Sequence, residues 1–227
     1  SNTLLLNVLD LLFSFPMPII LALLLNEIRV RWFKRVTQTL LYLPHFLSWV
    51  VIGATAYAMF ATNSGVINTL IANAGKSPIP FLQEDAWWLF SYILIGIWQT
   101  MGWGTIIYLA AITNVNSELY EAAKVDGANR WQQCLHVTLP CIRSTIVVML
   151  IMQLGKLMGG SFERIVALSN AKATEYTTTI PVLVFKWFQG NKFSESTALG
   201  LFQSVIGVIL VVASDKIAKK LGEDGLL

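Results

Sequence analysis

Two groups of polar residues recur at helical spacing inside otherwise apolar stretches of this chain. The two groups are Gly96, Gln99, Thr100 and Trp103, and Gln153, Lys156, Leu157 and Gly160. Each follows the i, i+3, i+4, i+7 pattern that places side chains on one face of a helix. Amides and hydroxyls can bind the hydroxyls of a sugar, and a flat indole can cover its apolar face. The alternative is helix packing, with glycines allowing close approach and glutamines bonding across helices.

Lys156 is the most informative of these residues, because a lysine inside an apolar span costs about 2.5–3.5 kcal/mol on insertion scales. Another interaction must compensate this charge. The side chain can reach the membrane surface, pair with Glu163, or meet a carboxylate on a bound ligand. The third alternative predicts that the ligand is acidic.

Residues that could perform covalent or metal chemistry are scattered along the chain. His45 and His136 lie far apart and lack the spacing of metal ligands, so we interpret each as structural. Cys134 and Cys141 have no second ligand pair nearby, so we interpret both as packing residues. No Ser, His and Asp arrangement and no pair of carboxylates indicates an active site. The chain is therefore predicted to be non-catalytic and to bind no metal.

The tripeptide Gly75-Lys76-Ser77 is similar to the end of a phosphate-binding loop. Such a loop has another glycine five residues before the second one, so that backbone amides can surround the phosphates. Leu70 occupies that position here. We therefore expect this chain to bind no nucleotide.

The composition is that of a membrane protein. Of the 227 residues, 55% are hydrophobic and 13% are charged, and the mean hydropathy is +0.62, whereas soluble domains are about 25% charged. A helix that crosses the hydrocarbon needs about 20 mainly apolar residues. The segments that qualify are 4–25, 40–61, 87–112, 139–160 and 197–213. The predicted fold is all-α: one polytopic transmembrane helical bundle of five spans over residues 1–227.

The first of these segments is the least regular. Asp10, Pro16 and Pro18 interrupt it, and its amino side lacks a charged flank. Ser1 is not an initiator methionine, and nothing resembles a signal peptide. We therefore expect further residues upstream, including another span.

Lysine and arginine indicate orientation, because the cytoplasmic flanks of spans collect them. The larger group of cations is Arg29, Arg31, Lys34, Arg35, Lys124, Arg130, Arg143, Lys216, Lys219 and Lys220. The smaller group is Lys76, Arg164, Lys172, Lys186 and Lys192, in the connections 62–86 and 161–196. We expect these connections to be outward loops that dock a delivery protein or cover helix ends. The other side, with the tail, is predicted to be cytoplasmic. The basic residues form no stripe, so nucleic acid is not an expected partner.

A polar segment at residues 116–137 separates the third and fourth apolar segments. Asn116 or Ser117 can cap a helix over 118–125. Gly127 can then take a backbone angle that other residues avoid, and a second helix over 131–136 would follow. Two short helices joined by a glycine would form a rigid projection on the cytoplasmic side. An ordinary amphipathic surface helix is the alternative.

This segment resembles the EAA loop of ABC importer permeases, through which a permease docks on its ATPase. The matching residues are Glu121, Ala122, Ala123, Asp126 and Gly127. The chain is most similar to the maltose-permease class. Three stretches, YLPHF at 42–46, ALGLFQS at 198–204 and KIAKKLG at 216–222, resemble the LplB-type polysaccharide and oligouronide group.

The resemblance implies a type I importer fold in a bacterial cytoplasmic (inner) membrane, working by alternating access. The implied partners are a second, homologous permease subunit, two ATPase subunits, an extracytoplasmic solute-binding protein and membrane lipid. ATP and Mg²⁺ would bind the ATPases, and this chain would bind no cofactor. The implied cargo is a saccharide, preferably acidic and alginate-like, held by the two polar faces described above. The alternatives are a neutral oligosaccharide or peptide as cargo, or a channel that needs no ATPase.

Overall fold

The computed structural model describes residues 1–170, 175–220, 222 and 225, so the predicted outward cation Lys172 lies outside the described residues. The described part is helical and contains no strand. Its helices are α1 (Asn2–Glu27), α2 (Arg31–Phe46), α3 (Trp49–Phe60), α4 (Val66–Asn73), α5 (Asp85–Thr113), α6 (Ser117–Val125), α7 (Arg130–Cys141), α8 (Arg143–Gly155), α9 (Phe162–Leu168), α10 (Ile180–Gln189) and α11 (Phe193–Lys220). Helices α1, α5 and α11 are long and apolar enough to cross a membrane, and two bent pairs, α2 with α3 and α7 with α8, can each form a further span. The predicted all-α membrane bundle is confirmed.

Helix α1 is continuous despite its two prolines. Asp10–Ser14 form a π-helical turn, in which the Phe15 amide donates to the Asp10 carbonyl at 3.1 Å. Pro16 and Pro18 then lie in the first turn of the regular helix that follows, where a missing N–H is tolerated. The turn places Asp10 inside the protein, where it is 6% exposed.

Helix α5 has 29 residues, which gives it a length of about 43 Å. An apolar cluster around its amino-terminal half packs Trp88 and Tyr92 against α1, α3 and α9. A second cluster around its carboxy-terminal half packs Tyr108 against α1 and the junction of α7 with α8. The polar residues near Gln99 lie between the two clusters, at the middle of the helix.

The second span, predicted at 40–61, is bent and consists of two helices. Helix α2 ends in a 3₁₀ turn at Leu43–Phe46, and α3 follows at an angle of 102°. Pro44 brings no backbone donor to that turn. Ser48 then caps α3 by accepting a hydrogen bond from the Val51 amide at 3.4 Å.

The fourth span is also bent, and the predicted helix at 139–160 is wrong at both ends. Helices α7 and α8 meet at an angle of 62°, and Pro140 removes a backbone donor near the bend. Helix α8 ends at Gly155, so Lys156 and Gly160 lie in the turns that follow it. The predicted helical spacing of the second polar group therefore stops short of these two residues.

The two long connections contain helices of their own. The connection 62–86 carries α4, close to the short helix that its sequence predicts, and Asn68 fastens α4 by exchanging hydrogen bonds with the backbone of Ile79 at 2.7 and 2.8 Å. The connection 161–196 carries α9, which packs on α3, and α10, which packs on α11. The segment 161–196, predicted as an outward loop, therefore contains two helices.

Candidate functional site

A cavity of about 390 Å³ lies beside the middle of α5, with walls from α1, α2, α3, α8 and α9. Five of the seven residues predicted for a ligand pathway line it: Gln99, Thr100, Trp103, Gln153 and Lys156. The polar face of α5 and the polar end of α8 therefore meet at one space. The two apolar clusters lie on either side of it along α5.

An aromatic platform forms one part of the wall. The ring of His45 stacks on Trp103, with centroids 4.6 Å apart and planes inclined by 8°. Trp103 is 45% exposed, so part of the indole is available for contact. Nδ1 of His45 is buried and has no hydrogen-bond partner among the described residues. His45, which the sequence indicated as structural, lines the cavity because the bend between α2 and α3 places it there.

Lys156 caps the end of α8 and is exposed at the cavity. It forms no ion pair with any residue that the structure describes, and in particular none with Glu163. The alternative of an internal Lys156 to Glu163 pair is therefore wrong for this conformation. Two alternatives remain for Lys156: its side chain reaches the membrane surface, or it contacts a carboxylate of a bound ligand.

Arg164 differs from its prediction. Its sequence position predicted a cation in an outward loop, but the side chain is buried. It is 5% exposed and forms an ion pair with Asp10 of α1. Its guanidinium also contacts the face of Tyr92, with Cζ 3.8 Å from the ring centroid. Burial requires such partners, because a lone charge inside a protein is strongly disfavoured. Both members of the pair line the cavity.

Gly96 and Gly160 are the two remaining predicted pathway residues. They do not line the cavity but leave room for side chains that pack beside it. A Cβ on Gly96 would overlap Nη1 of Arg164, so the glycine makes room for that side chain. A Cβ on Gly160 would lie 2.7 Å from Oδ1 of Asn7. Their role in the structure is close packing.

Asp10, His45 and Arg164 are among the wall residues that sequence reasoning missed. One of them carried a usable signal: Asp10 is an ionisable residue inside an apolar span, and such residues commonly mark functional sites. His45 and Arg164 reach the cavity through a bend and a short helix that no periodicity indicates.

Helices α6 and α7 form the projection predicted between the third and fourth spans. The side chain of Asn116 caps α6 by accepting from the Glu118 amide at 3.0 Å. Gly127 has a φ of +79°, in the left-handed region that favours glycine. Asn129 then starts α7 with a capping box that involves Gln132. Helix α7 begins close to its predicted start at residue 131 and extends beyond the predicted end.

The surface of this projection is open to solvent. Helix α6 has no buried residue. Of the five residues that match the EAA loop, Ala123 is half-buried and the other four are exposed: Glu121, Ala122, Asp126 and Gly127. Two large apolar side chains beside them are also exposed, Val125 at 88% and Trp131 at 70%. These two side chains give the surface of the projection an apolar component.

The projection is attached to the bundle by specific contacts. Arg130 forms an ion pair with Glu27 at the end of α1. The hydroxyls of Tyr120 and Thr138 are hydrogen-bonded at 3.0 Å, which joins α6 to α7. The second contact holds α6 and α7 together, and the first connects the projection to α1.

The described residues contain no group of three or more His, Cys, Asp or Glu that could hold a metal ion. Cys134 and Cys141 are free thiols, half-buried and exposed respectively. The described residues thus form a polar cavity and an exposed helical projection.

Comparisons with known proteins identify relatives along the whole chain. Residues 14–221 match the family described as binding-protein-dependent transport system inner membrane component. The chain is 46% identical over 227 residues to the polygalacturonan/rhamnogalacturonan transport system permease protein YteP of Bacillus subtilis (strain 168), covering 100% of this chain and 71% of YteP. It is 43% identical to Protein LplB of the same organism, covering 99% of this chain and 71% of LplB.

A solved structure shares the fold. It is a chain from the crystal structure of a bacterial alginate ABC transporter in complex with an alginate pentasaccharide-bound periplasmic protein. The TM-score is 0.95 at 37% identity, and the alignment covers 99% of this chain and 78% of that chain.

Proposed function

Because this chain belongs to the family of inner membrane components of binding-protein-dependent transport systems, we propose that it is the permease subunit of an ATP-driven importer of acidic oligosaccharides. The observation that carries the proposal is the cavity beside the middle of α5, where amides, an indole and an ammonium without an ion-pair partner among the described residues meet. These are the groups that a uronic acid oligomer requires.

The chemistry of the wall supports a saccharide that carries carboxylates. Gln99 and Gln153 offer amide donors and acceptors for sugar hydroxyls. Trp103 offers a flat apolar surface for a sugar ring, and Lys156 offers a cation that pairs with no residue in the described part of the chain. The relatives agree with this chemistry, since YteP is named for polygalacturonan and rhamnogalacturonan, and the solved alginate transporter is in complex with a periplasmic protein that binds an alginate pentasaccharide.

The helical projection supports coupling to a separate ATPase. We assign Glu121, Ala122, Ala123, Asp126 and Gly127 to the docking surface. The small alanines allow a groove of the partner to approach closely, and the exposed Val125 and Trp131 add apolar contact area. ATP and Mg²⁺ bind the partner subunits in this proposal, and this chain performs no bond chemistry.

The connection between projection and cavity provides a mechanism for alternating access. Helix α7 continues through a 62° bend into α8, which carries Gln153 and ends at Lys156. The ion pair from Arg130 to Glu27 links the projection to α1, which carries Asp10 in the cavity wall. When two ATPase subunits close on ATP, they move the projection, and α1 and α8 shift around the cargo.

The remaining partners follow from the same proposal. A second permease subunit completes the pathway, and an extracytoplasmic binding protein presents the cargo. The connections 62–86 and 161–196 face that protein, and the projection and the tail face the cytoplasm.

The test is uptake by the complete complex in proteoliposomes, with the binding protein and ATP supplied. The probes are galacturonate and mannuronate trimers, each beside its carboxyl-reduced, neutral counterpart. We expect ATP-dependent uptake of at least one uronate trimer, and Lys156→Met should lower uptake of the acidic trimer while leaving any uptake of the neutral one unchanged. Unaltered uptake of the uronate by Lys156→Met would refute an acidic cargo at this site. Uptake without ATP would refute the importer.

A further inference from the structure

Asp10 and Arg164 form a buried ion pair in the wall of the cavity. Their side chains are 8% and 5% exposed, so both charges have largely left water. Desolvating two charges is costly, and well-packed apolar side chains often stabilise a fold equally well. The π-helical turn that begins at Asp10 is a feature found frequently at functional sites. Stability alone is therefore a weak explanation for this pair.

The guanidinium of Arg164 has unused binding capacity. Its Nη2 donates to the Asp10 carboxylate and, at 3.0 Å, to the hydroxyl of Ser161. Its Nε is buried and has no hydrogen-bond partner among the described residues. Arginine frequently binds a carboxylate through two parallel N–H donors. The contact with Asp10 leaves that capacity partly unsatisfied.

Other contacts hold the guanidinium in place. Tyr92 lies against it, with Cζ 3.8 Å from the ring centroid, in a cation–π arrangement. Gly96 leaves the space that Nη1 occupies. The position of Arg164 in the wall therefore does not depend on Asp10 alone.

Asp10 also has partners of its own. The Ser14 hydroxyl donates to Oδ1 and the Ser161 hydroxyl donates to Oδ2, both at 3.2 Å. Neither of these hydrogen bonds involves the guanidinium of Arg164. Asp10 would keep these two donors if the guanidinium turned to a different acceptor.

We propose that Arg164 is a second carboxylate-binding group of the cavity, and that Asp10 is its internal ligand, which a cargo carboxylate replaces. This inference rests on the proposed function, because it requires an acidic saccharide in the cavity. Between cargo molecules, Asp10 neutralises Arg164, and Lys156 is left without an ion-pair partner among the described residues. When an oligouronide enters, one carboxylate contacts Lys156 and another takes the place of Asp10. Asp10 thereby sets specificity, since a neutral saccharide has nothing to exchange for it.

Equilibrium binding to the assembled complex of permease and ATPase subunits tests the exchange. The probes are a galacturonate trimer and its carboxyl-reduced counterpart. The double variant Asp10→Asn with Arg164→Gln replaces the ion pair by two neutral amides. We expect its Kd for the galacturonate trimer to rise about tenfold, which corresponds to about 1.4 kcal/mol, with the Kd for the neutral trimer unchanged. An assembled double variant with the original Kd for galacturonate would overturn the inference.

Asp10→Asn alone should act in the opposite direction. It removes the internal ligand and keeps the guanidinium, so the Kd for the galacturonate trimer should fall, and a Kd that stays constant or rises contradicts the exchange. If the double variant does not assemble, Arg164→Lys decides, because it keeps the charge but lacks the planar pair of donors. Its binding of galacturonate should weaken relative to the neutral trimer, and equal weakening or none would overturn the inference.

A control separates this inference from the proposed function. If the wild-type complex shows no preference for galacturonate over the neutral trimer, the proposed acidic cargo is contradicted. If Lys156→Met reduces the preference but the Asp10 and Arg164 variants leave it intact, only the proposed exchange of Asp10 for a cargo carboxylate is contradicted.

Discussion

Arg130, the first residue of α7, forms an ion pair with Glu27, the last residue of α1. The same helix α1 carries Asp10 in the wall of the cavity. The side chains are 56% and 49% exposed, and exposed pairs contribute about 0.2–1 kcal/mol to stability. The pair therefore matters chiefly as a connection between the exposed projection and the cavity.

Glu27→Gln should weaken coupling without unfolding the protein. The expected result is a lower ratio of cargo transported to ATP hydrolysed, because the projection would move with less effect on α1. Thermal stability of the complex should change little, by about 1 kcal/mol at most. The charge-swapped variant Glu27→Arg with Arg130→Glu should restore the ratio. A ratio that is normal in Glu27→Gln would show that the pair transmits nothing.

Asn129 should determine the local order of α7. Its Oδ1 accepts from the Gln132 amide at 2.9 Å, and the Gln132 side chain accepts from the Asn129 amide at 2.8 Å. Asn129→Ala should cost about 1 kcal/mol of local stability and make amide hydrogen exchange over residues 130–133 about fivefold faster. Asn129→Asp keeps an acceptor at the helix start and is the matched control. Equal exchange in the alanine and aspartate variants would contradict a role for the cap.

Trp103 should contribute to binding independently of the charge of the cargo, unlike Lys156. Trp103→Ala removes a contact with the apolar face of a sugar ring, so it should weaken galacturonate and its carboxyl-reduced counterpart alike. The expected loss is roughly eightfold, if about 50 Å² of apolar contact is lost at about 25 cal/mol/Å². Trp103→Phe keeps an aromatic face and should lose less. Selective weakening of only the acidic probe by Trp103→Ala would contradict this assignment.

The polar face of α5 could be predicted from the sequence because α5 is one uninterrupted helix of 29 residues. Over such a length, spacing in the sequence translates directly into a face. The same pattern worked only in part for α8, because that helix ends at Gly155 and the next residues form turns. Lys156 reaches the cavity all the same, as the cap of the helix.

The rest of the wall depends on bends and turns that periodicity does not describe. His45 comes to lie on Trp103 because the chain turns by 102° after α2. Arg164 follows a left-handed residue, Ser161, and belongs to a helix of seven residues, too short for a hydrophobic pattern to identify. The exposed projection was easier to predict, since capping residues and a turn glycine specify it locally.

The central claim is that a partner ATPase drives import by binding to the projection. The most direct test compares substitutions at two glycines of matched backbone geometry. Gly127 and Gly75 have φ values of +79° and +74°, and a Cβ at either would meet nothing within 4 Å. Valine should impose similar backbone strain at both, of about 1–3 kcal/mol, but only Gly127 lies in the projection. ATPase association and ATP-driven uptake of a galacturonate trimer should both fall in Gly127→Val, whereas ATPase association should stay near wild type in Gly75→Val. Normal association and uptake in Gly127→Val, or equal losses of ATPase association in both variants, would contradict the claim.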